Sequence, residues 1–237
     1  VKQLRRIGEH DPKAGGAGRL GRHVEHDQRS RRYAAAVSDA PLQRIRHKRH
    51  GHVFDQGSVG SCTGNAVAGA CNTEPLHRRY GRLLLERDAV AVYAMATKLD
   101  GFPGEWPPDD TGSSGLAACK AAVELGFLTG YQHAFGVDHA LQALQLGPVV
   151  TGIDWYDGFD RPDHHGKVEI AGEVRGGHEV LVVGYHPAPS GAPLDALVEC
   201  WNSWGPGWGR FGRFTFTVRT WGSLLERDGD VTVPIRA

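Results

Sequence analysis

The hydrophobic pattern changes character near Gly147. Before that point, apolar and small residues recur at helical spacing, which predicts helices over residues 63–71, 89–99, 116–125 and 137–146. In the second of these, Val90, Tyr93, Ala94 and Thr97 fall on one face. Residues 101–115 form a Pro/Gly/Asp loop containing Trp106, and Ser113 or Ser114 is placed to cap the third helix. Pro75 marks an end or kink after the first. Beyond Gly147, residues 148–153, 167–170, 179–185, 197–201, 213–218 and 231–235 are short β-prone runs separated by turn residues. An α-rich half is thus followed by a β-rich half, an α+β pattern without internal repeats.

Residues 1–37 break this regularity. They mix Arg, His and Gly with no sustained period and predict an extended or partly ordered arm. The formal net charge of +0 conceals the asymmetry this creates. Residues 1–50 hold 13 Lys/Arg against 5 Asp/Glu, or +8, and the remaining 187 residues carry −8. A solvated basic arm lying on an acidic body is the simple reading. Nucleic acid is not an expected partner, because the Arg-rich composition lacks interleaved aromatics.

With 237 residues and 40% hydrophobic content, the chain has enough apolar surface for one domain or two lobes sharing a cleft, which excludes a disordered or fibrous protein. No stretch approaches the roughly 18 apolar residues of a membrane span, and the basic N-terminus is not followed by an apolar signal core. The expected location is therefore cytoplasmic or, for a phage protein, particle-associated. Cys62, Cys71, Cys119 and Cys200 are spread without a C-x-x-C pair, so no zinc site is expected and free thiols are favoured over two bridges. No cofactor is implied.

Three segments carry candidate chemistry. A cysteine is a nucleophile only as thiolate, and Cys62 sits where a tight Gly57–Ser61 loop meets a predicted helix N-terminus that would favour the anion. His178 follows two glycines and opens the run Glu179-Val180-Leu181-Val182-Val183, which would place an imidazole at the start of a buried strand. Asn202 supplies a non-titrating amide oxygen able to hold one imidazole nitrogen, with Trp204 available to shield that bond. Taken singly, each has an ordinary structural explanation, as a buried thiol, a core histidine and a turn asparagine.

Together they resemble the papain-like cysteine peptidases. Gln56-Gly57-Ser58-x-Gly60-Ser61-Cys62 is similar to the family's nucleophile loop. Gly177-His178-x-Val180-x-Val182-Val183-Gly184-Tyr185 is similar to its histidine strand, and Asn202-Ser203-Trp204-Gly205-x-Gly207-Trp208-Gly209 to its asparagine loop. The likeness runs from about residue 40 to about 218 and implies a two-lobe fold, a helical lobe and an antiparallel β-barrel-like lobe with the active site between them. The implied division is a basic arm over 1–39 and a catalytic domain over 40–237, with the helical lobe at about 50–136 and the β-rich lobe at about 137–237. The resemblance makes Cys62 the nucleophile, His178 the proton shuttle and Asn202 its orienting group, with Gln56 and the Cys62 backbone N–H forming the oxyanion hole.

Departures from the family bear on specificity. Val59 replaces a disulfide cysteine, Thr63 replaces a usual aromatic, and Asp110-Thr111-Gly112-Ser113 stands in the region of the glycine strip that pairs with substrate backbone. The arm is short and poorly helical beside the family's inhibitory propeptides, so that it either braces the β-rich lobe or occupies the cleft. Cys-Thr-Gly-Asn at 62–65 is similar to divergent bacterial and bacteriophage members. The expected activity is hydrolysis of a peptide or protein substrate through a Cys-His-Asn acyl-enzyme. Two alternatives stand beside it: a catalytically silent component of a phage or secretion assembly, engaging a partner through the basic arm, and a cell-wall peptide hydrolase or transamidase.

Overall fold

The structure, a computed structural model, describes residues 18–236. The first 17 residues of the predicted arm lie outside the described residues. Helix α1 (Cys62–Cys71) is buried at all ten positions. Its Ala, Gly and Cys side chains are small enough for α3 (Glu86–Leu99), α4 (Gly115–Glu124) and the sheet to enclose it on every side. Between α1 and α3 a short α2 (Leu76–Tyr80) follows directly on Pro75, so the proline precedes a helix after α1 has ended at Cys71. Ser114 caps α4 by accepting from the Ala117 backbone N–H at 3.0 Å.

Seven strands form one antiparallel sheet: β1 (Ile45–Arg46), β2 (Gly130–Ala134), β3 (Val149–Tyr156), β4 (Val174–His186), β5 (Leu197–Trp201), β6 (Arg213–Thr217) and β7 (Asp230–Ile235). Their spatial order is β2-β7-β3-β4-β5-β6, and β1 pairs with the far end of β4. Two further helices, α5 (Val137–Leu146) and α6 (Val218–Glu226), pack on the sheet. Two apolar clusters result. One gathers α1, α3 and α4 around Val67, Val92, Ala118 and Leu181; the other fills the sheet side with Trp155, Phe214, Phe216, Trp221 and Leu144.

Three expectations need correction. Residues 167–170 form no strand, only a single bridge from Lys167 to Thr215. The buried face of α3 is Ala89, Val92, Tyr93, Ala96 and Thr97, so the helix is rotated from the face expected through Val90 and Ala94. His178 is the fifth residue of β4 rather than its first, because Gly176 and Gly177 pair with Trp155 and Asp154 of β3 and extend the strand backward.

The described part of the arm is ordered against the body. Ala35 donates its backbone N–H to the His133 carbonyl at 2.8 Å, and His139 Nε2 bonds the Ala35 carbonyl at 2.9 Å. No helix among the described residues is long and apolar enough to cross a membrane.

Candidate active site

The first turn of α1 points at the middle of β4, and the candidate residues meet there. Cys62 begins the helix with 0% of its surface exposed. Asn65 Nδ2 donates to both the Ser61 carbonyl and Ser61 Oγ, at 2.9 and 3.0 Å, and locks the entry to the helix. The preceding loop is tied down by Asp110, whose two carboxylate oxygens accept the Gly60 backbone N–H at 3.0 Å while Oδ1 also accepts the Tyr93 hydroxyl at 2.6 Å. Burial and the adjoining carboxylate hold the Tyr93 hydroxyl protonated, its pKa well above normal.

His178 is fully buried and contacts Asn202 Oδ1 through Nε2 at 2.8 Å. The same oxygen accepts the Ser203 backbone N–H at 2.7 Å, and an amide oxygen only accepts. Nε2 therefore carries the proton and Nδ1 presents its lone pair, buried and without a partner. Trp204 lies over the ring at 4.9 Å between centroids, and Trp155 meets it edge-on at 4.7 Å. These indoles exclude water, and the resulting burial lowers the His178 pKa to about 4 although Asn202 opposes the shift.

Gln56 is held by its carbonyl end. Its Oε1 accepts the Ser203 hydroxyl at 2.6 Å and its backbone N–H bonds the Ser203 carbonyl at 2.8 Å, which turns Nε2 into the cleft. The amide Nε2 donates to the Val59 carbonyl at 2.8 Å and to the Arg19 carbonyl at 3.1 Å. All four residues selected from sequence are thus brought to one place. Sequence reasoning missed Ser203, Tyr93, Asp110 and Trp155 as supports, since hydroxyl and carboxylate contacts between distant segments leave no local signal.

The second partner of Gln56 Nε2 belongs to the arm. Residues 18–23 thread the cleft: Arg22 donates its backbone N–H to the Gly177 carbonyl at 3.0 Å, Ser113 donates to the Gly21 carbonyl at 2.8 Å, and His23 donates to the Ser113 carbonyl at 2.7 Å. Arg19 pairs with Asp110 at 3.1 Å. Only glycine fits at position 21, where a Cβ would run into the Gly60 carbonyl. The residue at the proposed glycine-strip position, Ser113, is therefore a main-chain pairing edge for an extended segment. Burial, with the Glu179 charge adding to it, raises the Cys62 thiol to about 12, despite backbone hydrogen bonds from Glu179, Gly21 and Thr63 that favour the thiolate. All four cysteines are free and buried.

A helix that opens on a cysteine and packs on a strand carrying a histidine held by an asparagine, at the junction of a helical cluster and an antiparallel sheet, is the architecture of the papain-like cysteine proteases. The chain has that α+β fold. Xylellain, a cysteine protease from Xylella fastidiosa, superposes with a TM-score of 0.72 over 99% of both chains at 19% identity. Digestive procathepsin L 3 of Tenebrio molitor gives a TM-score of 0.62 over 93% of this chain and 76% of its own, at 21% identity. In sequence, 139 residues are 30% identical to a cathepsin B-like protein, CP3, of Giardia intestinalis, a match over 52% of this chain and 44% of that relative. The chain thus aligns with less than half the length of that curated relative. No family model matches the sequence.

Proposed function

We propose that the chain is a cysteine peptidase in which Cys62, His178, Asn202 and Gln56 carry the chemistry, held inactive by its own residues 18–23. The observation that supports this most directly is the His178–Asn202 bond, which fixes the proton on Nε2 and leaves Nδ1 as the buried base. In the proposed reaction, the Cys62 thiol passes its proton to Nδ1 and the sulfur attacks the scissile carbonyl carbon. The carbonyl oxygen takes up negative charge between Gln56 Nε2 and the Cys62 backbone N–H. Collapse breaks the C–N bond, and the His178 proton goes to the departing amine. Water, deprotonated by the same imidazole, then cleaves the thioester and restores the thiol.

The resting arrangement does none of this. The arm places an Arg19 carbonyl on the oxyanion donor and a Gly21 backbone hydrogen bond on the sulfur, while the Gly21 carbonyl is turned away to Ser113. With the thiol near 12 and the imidazole near 4, both groups are neutral at pH 7. Withdrawal of the arm would admit water, lower the first value and raise the second, allowing the thiolate–imidazolium pair to form. The orienting bonds kept beneath the arm, from Asn202 to His178 and from Ser203 to Gln56, support a peptidase under an occluding segment over a silent scaffold.

The test is labelling with an irreversible epoxide thiol reagent after arm displacement, with the adduct located by mass spectrometry. An adduct at Cys62 and peptide hydrolysis abolished in Cys62→Ala are expected. Hydrolysis that survives Cys62→Ala, or labelling confined to Cys71, Cys119 or Cys200, would overturn the proposal.

A further inference from the structure

Beside the nucleophile the sheet contains an acidic slot. Gly152 of β3 stands opposite Glu179 of β4 on one side and Asp230 of β7 on the other. Residues in register across adjacent strands project to the same face, so the two carboxylates flank a position that has no side chain. The Arg22 guanidinium occupies that position, and a Cβ on residue 152 would strike its Nε. Glu179 also leans over Gly115, where a Cβ would meet its carboxylate.

The slot is built for a cation. The Arg22 side chain is 0% exposed, its Nη2 bonds the Asp230 carboxylate and the Asp228 carbonyl, the latter at 2.7 Å, and its Nε lies 4.0 Å from Glu179. Asp154 adds a further negative charge nearby. The binding capacity exceeds what Arg22 uses: Nε and Nη1 of Arg22, both oxygens of Glu179 and one of Asp230 make no hydrogen bond. Burial opposes the charge on Arg22, yet Asp230 and Glu179 more than offset it and raise its pKa. Burial and the neighbouring Asp230 push the Glu179 carboxyl well above its ordinary range although Arg22 opposes the shift, so Asp230 supplies the charge that a cation in the slot meets and Glu179 strengthens it when ionised.

The slot opens onto the cleft. Glu179 follows His178 in the chain and its backbone hydrogen-bonds the Cys62 sulfur, while Arg22 enters from a backbone pinned by Gly177. Any extended peptide that pairs with Gly177 and Ser113 can drop a side chain into the same slot.

Resting on the peptidase reading above, we propose that Gly152, Glu179 and Asp230 form the specificity pocket of this site, that it selects peptides carrying an arginine side chain next to the scissile region, and that Arg22 is the internal mimic of that side chain. The guanidinium spans the slot, with Nη2 on the Asp230 carboxylate and the Asp228 carbonyl and Nε 4.0 Å from Glu179, a reach that the point charge of an ammonium does not cover.

Two readouts separate this proposal from the peptidase reading. In the full chain carrying Arg22→Gln, hydrolysis of peptides that contain arginine, citrulline or leucine at the pocket position is compared. In Arg22→Gln combined with Cys62→Ala, binding of an acetylated peptide matching residues 18–25 is compared with that of its citrulline analogue, the neutral isostere, by calorimetry. Should Arg22→Gln fail to fold, a specific protease site placed in the exposed segment 36–41 allows the native arm to be cut after folding and competed away. We expect a preference for arginine over citrulline of roughly tenfold or more in both readouts. Asp230→Asn and Gly152→Ala should shrink that ratio toward one. A ratio near one in the binding measurement, or a preference that survives both substitutions, overturns the pocket. Preferential binding without hydrolysis or epoxide labelling of Cys62 would sink the peptidase reading and leave the pocket standing.

Discussion

The Ser203 hydroxyl donates to Gln56 Oε1 at 2.6 Å across 147 residues of sequence, and this bond decides which end of the Gln56 amide faces the cleft. A flipped amide would offer a second acceptor to a developing oxyanion and repel it. Ser203→Ala removes the constraint while leaving the Ser203 backbone contacts intact. Turnover should fall about fivefold with little change in KM, as expected for one neutral hydrogen bond worth about 1 kcal/mol. Gln56→Ala, which deletes the donor itself, should cost about 10²–10³ in kcat. Steady-state kinetics on the arm-displaced protein check both, and equal losses in the two variants would show that Ser203 does not act through Gln56.

The proposed catalytic set was legible in sequence because each member sits in a short segment with its own local pattern: a Gly/Ser loop before Cys62, a valine-rich strand after His178, and a Trp/Gly loop after Asn202. Helix α5 and strand β5 were legible to the residue, bounded as they are by Gly136 and Gly147, and by Ala196 and Asn202. Helix α6 was not, since Val218 continues the alternation of β6 and Gly222 interrupts the helical run. Strand β2, Gly-Tyr-Gln-His-Ala, lacks β-branched residues and owes its conformation to pairing with β7. The acidic slot was invisible for a different reason: Gly152, Glu179 and Asp230 lie on three strands, and only the register aligns them.

The close approach of Gly21 to the Gly60 carbonyl makes the arm's seat sensitive to a single methyl group. Gly21→Ala should lift residues 18–23 from the cleft without touching the body. The thiol would then move from about 12 toward its ordinary value near 9, raising the thiolate fraction at pH 7.5 by up to about 10³. Iodoacetamide alkylation of Cys62, followed by mass spectrometry, should accelerate in proportion. An unchanged rate would mean that the arm does not control access to the sulfur.

Because burial depresses the His178 pKa to about 4 from an ordinary 6.5, the closed fold binds fewer protons at this residue than the unfolded chain between those values. Stability contributed by the neutral buried ring is present above pH 6.5 and is lost as pH falls toward 4. His178→Asn cannot titrate and should lose less over the same window. Thermal midpoints of wild type and variant at pH 7 and pH 5 measure this, and parallel losses would show that the ring is not buried neutral in solution.

Trp155 couples the packing of the sheet-side core to the protonation of His178. Its ring meets His178, Trp204, Phe159 and Phe214 edge-on, and its indole N–H donates to Asp160 at 2.8 Å. Trp155→Ala should cost about 3–5 kcal/mol through the cavity it leaves. It should also admit water beside the imidazole and move the His178 pKa upward from about 4. Trp221 is equally buried in the same cluster but packs on Phe216 and bonds Thr151, with no ring contact to His178. Trp221→Ala should therefore lose comparable stability and leave the histidine where it is. Chemical denaturation gives the first quantity and NMR titration of the imidazole the second. A histidine that shifts equally in both variants would mean that general loosening of the core, rather than the Trp155 edge, sets its protonation.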